Sequence, residues 1–294
     1  MIEKDNVKVN ESLELHTTFK VGGKCKYFVT PKDLDELIKL LKYLKENNIK
    51  YMILGNGSNT IFSSKEYDGV IINLTNFNSM VIEDNKIYVE AGYQLIKLSM
   101  DALNNSLSGL EFAAGIPGNI GGAIFMNAGA YKSDMSALVE TVTFIDENFE
   151  LKTLKNEELN FSYRMSLFQE HPEYIIISTV LKLEKADQEE IKDLMNSRKE
   201  RRISSQPLEY PSAGSVFRNP SEDVFAGKLI EDLGLKGYTI GGAQISEKHA
   251  NFIINIGGAT GEDIRALIKM IKVKVKEKYN IDLHVEQRFI NFED

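Results

Sequence analysis

The sequence has 294 residues, of which 43% are hydrophobic and 27% charged, and its net charge is -8. The length predicts about two domains, and the acidic balance argues against nonspecific nucleic-acid binding, which needs a basic surface. A lone Cys25 excludes a disulfide within the chain, and the scattered histidines do not have the spacing of a metal site. No apolar run reaches the ~18 residues of a membrane span. We therefore expect a cytoplasmic protein without a metal.

Helical and extended patterns alternate along the first half of the chain. Residues 31–48 predict a helix with Thr30 as its N-cap and Pro31 at its first position, because apolar residues recur at helical spacing. Short strands are predicted at 50–54, 69–74 and 86–90, and a second amphipathic helix at 93–106.

Predicted helices and strands also alternate along the second half of the chain. Strands are predicted at 139–145 and 174–183, and a charged helix at 187–202 is the predicted domain boundary. Beyond it come strand-like runs between 243 and 256, then a helix from Thr260 to about Tyr279 and a last strand at 283–290. Thr260 and Asp263 have the spacing of a capping box, which predicts the start of that helix.

Two glycine-rich stretches are the first candidates for a binding site. Gly55-Asn-Gly-Ser-Asn59 follows an apolar strand, and Gly115-Ile-Pro-Gly118 with Gly121-Gly-Ala123 lies in a stretch with few charges and no clean period. Glycine permits positive φ and close approach of a ligand, so the pair could bind the two phosphates of one pyrophosphate. A helix that starts after Pro117 would add partial positive charge there. A plain tight turn and a close-packed buried crossover remain the alternatives, and neither stretch is a Rossmann fingerprint.

A third segment, Ala213 to Pro220, places Ser215 directly after Gly214. This glycine could hold the serine on a sharp bend, with Arg218 and Asn219 as anion and amide contacts. The second glycine of a nucleophile elbow is missing and no histidine is near in sequence, so a proton donor is a better interpretation of Ser215 than a nucleophile. The alternative is a serine that only completes a turn.

Taken together, these segments resemble the UDP-N-acetylenolpyruvoylglucosamine reductases, the MurB family. The resemblance covers nearly the whole chain and rests on motifs that occur in the family's order: Thr-Thr-Phe-Lys-Val-Gly-Gly (17–23), Leu-Gly-Asn-Gly-Ser-Asn (54–59), Gly-Ile-Pro-Gly-Asn-Ile-Gly-Gly-Ala (115–123), Met-Asn-Ala-Gly-Ala-Tyr (126–131), Phe-Ser-Tyr-Arg (161–164), Gly-Ser-Val-Phe-Arg-Asn-Pro (214–220), Ala-Gly-Lys-Leu-Ile-Glu (226–231) and Val-Glu-Gln-Arg-Phe-Ile (285–290). One such motif is weak, whereas the ordered set is specific.

The resemblance implies an α+β fold and an enzymatic activity. The expected architecture is a two-subdomain FAD-binding fold of the vanillyl-alcohol-oxidase type over residues 1–186, divided at about 75, with a C-terminal α+β substrate-binding domain over 187–294. The short region after Tyr163-Arg164 is similar to the type II form of the family. The implied reaction is the NADPH-dependent reduction of UDP-N-acetylglucosamine enolpyruvate to UDP-N-acetylmuramate for peptidoglycan synthesis, with no nucleic acid, membrane or obligate protein partner.

The resemblance also assigns roles to residues. Arg164, Ser215 and Glu286 match the catalytic positions, with Ser215 as the proton donor. The FAD-binding residues would be Gly55, Asn56, Gly57, Ser58, Asn59, Gly115, Ile116, Pro117, Gly118, Gly121, Gly122 and Ala123, and the substrate-binding residues Arg218, Asn219, Lys228 and Arg288. Apart from the motifs, a surface salt bridge would explain Arg164 or Glu286, and a solvated side chain would explain Lys228. His249 is interpreted as structural, since it precedes an apolar strand.

The chain departs from the family pattern in two places. Gln287 follows Glu286 where a valine is common, and Lys132-Ser133 stands where a glycine is familiar. Three other functions remain as alternatives: an oxidase on the same flavin fold, a UDP-sugar-binding regulatory protein without a flavin, and a Rossmann dehydrogenase. The missing fingerprint disfavours the last of these.

Overall fold

By its internal contacts the chain divides into two compact units. Unit 1 contains Met1–Lys8, Tyr27–Asn56 and Gly69–Arg201, and unit 2 contains Val9–Lys26, Gly57–Asp68 and Arg202–Asp294. The structure, a computed structural model, describes residues 2–293, so the predicted domain end points at residues 1 and 294 lie outside the described residues. Unit 2 is therefore assembled from three separate stretches of sequence.

Helices and strands alternate along both units. The helices are α1 (Leu34–Glu46), α2 (Leu95–Asn104), α3 (Ile120–Phe125), α4 (Leu167–Glu170), α5 (Gln188–Ser205), α6 (Ala226–Glu231) and α7 (Gly261–Tyr279). The strands are β1 (Val7–Ser12), β2 (Lys24–Val29), β3 (Tyr51–Ile53), β4 (Thr60–Phe62), β5 (Tyr67–Ile72), β6 (Met80–Glu83), β7 (Lys86–Glu90), β8 (Leu107–Ser108), β9 (Gly129–Ala130), β10 (Ser133–Asp134), β11 (Val139–Ile145), β12 (Leu151–Lys155), β13 (Ile175–Lys182), β14 (Glu184–Lys185), β15 (Thr239–Ile240), β16 (Ala243–Ile245), β17 (Ile253–Asn255) and β18 (Arg288–Ile290).

The start of α1 differs from the prediction. Asp33, rather than Thr30, is the N-cap, and its side chain accepts a hydrogen bond of 2.9 Å from the amide of Glu36. The Glu36 carboxylate accepts the amide of Lys32 at 2.7 Å, so acidic side chains satisfy donors on both sides of the cap. Aspartate is a strongly preferred N-cap residue, and its side-chain cap prevails here over the Thr-Pro pair.

The end of the chain shows one confirmed element and one that is shorter than predicted. At the start of α7 the Thr260 hydroxyl accepts the amide of Asp263 at 3.1 Å, and the Asp263 carboxylate accepts the amide of Thr260 at 2.9 Å. The capping box is therefore confirmed. The strand predicted over 283–290 is regular only from Arg288 to Ile290, where it pairs in parallel with β4.

Unit 1 is built around an antiparallel sheet with the strand order β12-β11-β13-β7-β6. The bounds of β7 and β11 agree with the sequence prediction. The short helix α3 packs against β7 and β13, and α1 and α2 contribute leucines to the same core, among them Leu37, Leu41, Leu95 and Leu98. A further sheet has the order β1-β2-β5-β3, and the division between the units falls inside β1, β2 and β5.

Unit 2 has a core of its own. The three-stranded sheet β15-β16-β17 packs against α7, whose buried face includes Ile264, Leu267, Ile268 and Ile271. The strand-like runs predicted between 243 and 256 are β16 and β17. Over residues 2–293 no helix has the length and apolar character needed to cross a membrane, and the same residues contain no cluster of three or more metal-ligating side chains.

The burial of the lone Cys25 in unit 2 can be tested by labelling its thiol. Its side chain is fully buried in β2, and burial raises the pKa of its thiol to about 11. At pH 8 about one thiol in a thousand would be ionised, and the thiolate is the reactive species. We expect a disulfide thiol reagent to label the native protein negligibly at pH 8 and to label one thiol after denaturation. Rapid labelling of the native protein would contradict this burial.

Candidate functional site

The two glycine-rich stretches come together within unit 1. A Cβ atom added to Gly55 would lie 3.3 Å from Oδ1 of Asn119, which lies in the middle of the second stretch. Asn73 holds the first stretch by donating to the carbonyls of Leu54 at 2.9 Å and Gly55 at 3.0 Å. Asn119 holds the second by donating to the Gly92 carbonyl at 2.7 Å. The pairing of the two loops that the sequence suggests is thus realised at Gly55 and Asn119.

The helix expected after Pro117 begins three residues later and is short. It is α3, which starts at Ile120. Its first two amides donate inside unit 1, from Ile120 to the Tyr93 carbonyl at 3.0 Å and from Gly121 to the Ala91 carbonyl at 2.8 Å. These two amides are occupied within unit 1, so they are not free to bind a ligand, and the contribution of the helix start to a phosphate site stays a prediction. Gly121 instead permits close packing, since an added Cβ would lie 3.0 Å from that of Ala91.

Gly57 forms a tight turn in unit 2. Its φ is +60°, and an added Cβ would lie 2.2 Å from the carbonyl oxygen of His16. The Thr18 amide donates to the Gly57 carbonyl at 3.4 Å. Among residues 2–293, the hydroxyl of Thr18 is one of the few buried polar side-chain atoms without a hydrogen-bond partner. The turn is therefore a close-packed cradle that contains a buried donor with no protein acceptor.

Asn59 connects the glycine loop to the C-terminal segment of unit 2. Its side-chain amide donates to the carbonyl of Glu286 at 3.1 Å, and its own carbonyl accepts the amide of Arg288 at 2.9 Å. The family resemblance assigns Asn59 only to FAD binding. In the structure it fixes the backbone on both sides of Gln287.

Ser215 and Glu286 lie on neighbouring segments of unit 2. Gly214 adopts a φ of +72°, the bend predicted before Ser215. Ser215 bridges to Phe252 on one side, while on the other the amide of Glu286 donates to the Val216 carbonyl at 2.8 Å. The segment is thus held between two extended stretches of chain, and the backbone of Glu286 pairs with Val216, the residue after Ser215.

Asn251 is a residue that the sequence analysis missed. It is buried, and its side chain pairs with both backbone groups of Phe217, accepting the amide at 3.0 Å and donating to the carbonyl at 2.9 Å. The side-chain amide of Asn251 thus makes the two backbone hydrogen bonds to Phe217 that a neighbouring strand would otherwise make. No sequence pattern identifies this role, although Asn251 lies in the same Lys-His-Ala-Asn-Phe run as His249.

The hydroxyl of Ser215 is available for chemistry. The residue is half-buried, and no hydrogen bond of Ser215 Oγ is found among the described residues. The backbone of Ser215 bridges to Phe252, and Phe217, two residues further on, bridges to Val285. This arrangement suits a positioned proton donor better than an activated nucleophile, which needs a base within hydrogen-bond reach.

Arg164 lies in unit 1, on a turn between Ser162 and Met165. Its φ is +60°, unusual for a residue with a large side chain. One guanidinium nitrogen donates to the Gly129 carbonyl at 2.7 Å, and the guanidinium carbon lies 5.1 Å from the centre of the Tyr163 ring. The Arg164 side chain therefore contacts Gly129 and Tyr163, which both lie in unit 1.

The predicted substrate-binding residues have varied surroundings in unit 2. Lys228 is exposed and forms a 2.7 Å ion pair with Asp232, a hydrogen bond that raises the pKa of the lysine. The Asn219 side-chain oxygen accepts the amide of Ala226 at the start of α6. Arg218 donates its amide to the His284 carbonyl, and Arg288 is exposed at the start of β18. Their contact with a substrate stays a prediction.

His249 remains structural in character. Its Nδ1 accepts the amide of Asn251 at 3.2 Å, and its ring packs edge-on against Phe252 with the centroids 4.9 Å apart. Burial lowers the pKa of His249, which favours the neutral ring. This agrees with the interpretation from sequence.

Comparison with known proteins decides the family. A family model described as UDP-N-acetylenolpyruvoylglucosamine reductase, C-terminal domain, matches residues 206–290, and a model of an FAD binding domain matches residues 25–155. A curated UDP-N-acetylenolpyruvoylglucosamine reductase from Caldanaerobacter subterraneus is 46% identical over 290 residues, 99% of this chain and 95% of the relative. One from Clostridium perfringens is 44% identical over 98% of this chain and 94% of the relative. The chain belongs to the UDP-N-acetylenolpyruvoylglucosamine reductase family.

Solved structures agree with this assignment. The crystal structure of a reductase of this family, MurB from Thermus caldophilus, superposes with a TM-score of 0.82 at 33% identity, over 96% of this chain and 99% of the other. A glucose dehydrogenase, Phl p 4, matches with a TM-score of 0.50 at 14% identity over 64% of this chain and 43% of its own, which shows the fold alone. The α+β fold of the vanillyl-alcohol-oxidase type, expected from sequence, is confirmed.

Gln287, the first departure from the family pattern, is buried in unit 2. Its side-chain nitrogen donates to the Ala213 carbonyl at 3.1 Å, two residues before Ser215. Its side-chain oxygen is buried without a hydrogen-bond partner among the described residues. At this position the chain therefore has a polar contact to the segment that carries Ser215.

The second departure, at Lys132, lies in the turn between β9 and β10. Tyr131 and Lys132 both have positive φ, +55° and +62°, as the central residues of a two-residue hairpin turn require. The Tyr131 ring is held by a hydrogen bond to the Arg198 carbonyl at 3.1 Å. Lys132 is exposed, so its left-handed backbone costs stability that a glycine would not.

We expect Lys132→Gly to raise the midpoint of thermal unfolding by about 1–3 °C, because relief of the left-handed strain exceeds the added flexibility of the unfolded chain by roughly 0.5–1 kcal/mol. The matched control is Ser133→Gly, at an exposed neighbour without positive φ, which should lower the midpoint slightly. Calorimetry of both variants checks the prediction. A change of the same sign in both would contradict the assigned backbone strain.

Proposed function

We propose that this chain reduces the enolpyruvyl group of UDP-N-acetylglucosamine enolpyruvate to give UDP-N-acetylmuramate, with bound FAD and with NADPH as the electron donor. The observation that carries the proposal is the half-buried Ser215 hydroxyl, which has no hydrogen-bond partner among residues 2–293, on a segment that hydrogen-bonds to the backbone of Glu286. Membership of the reductase family supplies the substrate class, since the relatives' names specify an enolpyruvyl nucleotide sugar.

The residues present fit FAD. The buried Thr18 hydroxyl beside Gly57 lacks a protein acceptor, and phosphate oxygens are strong acceptors. The turn at Gly57 has no room for a side chain, and Gly55 lies against the second glycine-rich stretch in unit 1. We assign the dinucleotide to these loops, at Gly55–Asn59 and Gly115–Ala123. When bound and reduced, FAD supplies the hydride for the substrate.

Arg164 is assigned to the substrate carboxylate. Hydride addition to the terminal methylene carbon of the enolpyruvyl group builds negative charge on the enol carboxylate, and a preorganised donor lowers the energy of that charge. The guanidinium is a planar fork that matches a carboxylate. Its existing contacts with Gly129 and Tyr163 fix its orientation before a substrate arrives.

Ser215 is assigned as the proton donor to the adjacent carbon. That carbon is strongly basic once the charge has built up, so a hydroxyl suffices as the acid. The amide of Glu286 donates to the carbonyl of Val216, the residue after Ser215, at 2.8 Å, and we propose that the Glu286 side chain shares a proton on the substrate carboxylate. Arg218, Asn219, Lys228 and Arg288 are proposed to contact the UDP-sugar. The product is the muramic acid unit of bacterial cell walls, which places the reaction in cytoplasmic peptidoglycan precursor synthesis.

The test is the dependence of NADPH oxidation on the enolpyruvyl sugar. We expect the purified protein to consume NADPH steadily when UDP-N-acetylglucosamine enolpyruvate is present, and to consume far less with UDP-N-acetylglucosamine or with oxygen alone. The product should gain the mass of two hydrogens. Oxidation driven by oxygen regardless of the sugar would instead indicate an oxidase on the same fold.

A further inference from the structure

The backbone of Arg164 is held in a conformation that an arginine rarely adopts. The turn is closed by two hydrogen bonds, from Ser162 to the Met165 carbonyl at 3.2 Å and from Met165 to the Ser162 carbonyl at 3.0 Å. Between them Tyr163 and Arg164 form the tip, and only Arg164 has positive φ. A non-glycine residue in this region costs about 1–2 kcal/mol, and such strain persists only where surrounding contacts enforce it.

One of the contacts that hold this backbone comes from Gln169. The side-chain nitrogen of Gln169, in α4, donates to the carbonyl of Arg164 at 2.9 Å and to the carbonyl of Phe125 at 2.9 Å. Phe125 is the last residue of α3, where helical carbonyls lack partners within the helix. Gln169 therefore ties the backbone of the strained arginine to the end of a helix in the core of unit 1.

Further hydrogen bonds hold the same turn. Ser166 Oγ donates to the Phe125 carbonyl at 2.7 Å, so this carbonyl accepts hydrogen bonds from both Ser166 and Gln169, which follow the turn in the chain. The buried Asn127 donates to the Ser162 carbonyl at 3.0 Å and accepts the amide of Ser136 at 2.9 Å. The Arg164 guanidinium donates to Gly129, four residues beyond Phe125. The guanidinium of Arg164 thus hydrogen-bonds directly to residues 125–129, and its backbone is linked to the same stretch through Gln169.

We infer that Gln169 is a positioning residue for catalysis: by fixing the left-handed backbone of Arg164, it aims the guanidinium at the substrate carboxylate. The inference deepens the proposed function and rests on the role given there to Arg164. Only an amide meets the requirement at this position, because its NH₂ group offers two donors for two carbonyls. A carboxylate of the same shape offers none and repels both.

The first test is Gln169→Glu in the enzyme loaded with FAD. We expect the rate of flavin reoxidation by the enolpyruvyl sugar to fall about 10–100-fold, as for a small misplacement of a catalytic group, while flavin reduction by NADPH stays within about twofold of the parent. As the pH falls and the introduced carboxyl gains a proton, one donor returns, so the deficit relative to the parent should shrink. The matched control Glu170→Gln, at the exposed neighbour in α4, should change neither rate.

A double-mutant cycle separates positioning from general support of the fold. In an Arg164→Ala background there is no guanidinium to aim, so Gln169→Glu should cause little further loss of the reoxidation rate. Gln169→Met, similar in length but without donor or charge, keeps the test valid if the carboxylate variant does not fold. Equal losses from the Gln169 change with and without Arg164 would overturn the inference, as would full activity of both Gln169 variants.

The same cycle distinguishes this inference from the proposed function. If Arg164→Ala alone leaves reoxidation by the sugar unchanged, the proposed role of Arg164 is wrong. If that variant is impaired but the Gln169 variants are not, only the positioning role of Gln169 fails.

Discussion

Replacement of Ser215 by alanine is expected to lower the rate of flavin reoxidation by the enolpyruvyl sugar by about 100–10,000-fold, the usual cost of losing a general acid. Reduction of the flavin by NADPH should be unchanged, because it needs no proton from Ser215. The variant should remain yellow and should bleach with NADPH, then stall when the sugar is added. Anaerobic stopped-flow absorbance measures the two half-reactions separately.

The control for this prediction is Ser221→Ala, at an exposed serine of the same domain, which should leave both half-reactions unchanged. Because the Ser215 hydroxyl has no hydrogen bond among the described residues, its removal should also leave the thermal midpoint nearly unchanged. If flavin reduction by NADPH collapsed in Ser215→Ala while the fold survived, the assignment of Ser215 as proton donor would be wrong.

Gly57→Ala is the substitution for which we expect the largest loss of FAD binding. Its Cβ would lie 2.2 Å from the His16 carbonyl oxygen and 2.8 Å from Thr17 Cα, both backbone atoms, at a φ of +60°. The turn cannot keep its shape, so we expect a cost of about 3 kcal/mol or more and a protein that retains little flavin after purification. Flavin released on denaturation, measured per chain, gives the result.

The matched control is Gly234→Ala. Gly234 also has a left-handed backbone, with φ of +67°, but no atom lies within 4 Å of an added Cβ. This variant should lose only about 1 kcal/mol and keep its flavin. If Gly57→Ala bound FAD as well as the parent, with an unshifted thermal midpoint, the cradle at Gly57 would not be part of the cofactor site.

The sequence predicts those helices and strands that are determined by neighbouring residues. The capping box at Thr260 and Asp263 and the bounds of β7 and β11 follow from neighbouring residues alone. Thr30 fails as the cap of α1 because Asp33 and Glu36 offer a stronger local pattern. The start and length of α3 could not be predicted, since six residues are too few to show a helical period and its first amides bond to Ala91 and Tyr93, distant in sequence.

In the candidate site, too, some features can be predicted from the sequence and others are revealed only by the structure. Glycine-rich turns and the Gly214–Ser215 bend are visible in sequence, because few other residues adopt positive φ. The contacts of Asn251, Gln169 and Thr18 are not visible, because each depends on a partner brought close only by folding. The left-handed backbone of Arg164 runs against the residue's own preference, so only the structure reveals it.

Visible absorption of the purified protein tests the central claim most directly. We predict a yellow preparation whose released flavin is FAD, in a stoichiometric amount, and which bleaches with NADPH under anaerobic conditions and recovers its colour when UDP-N-acetylglucosamine enolpyruvate is added. A folded, colourless preparation that takes up no FAD when the cofactor is supplied would contradict the account.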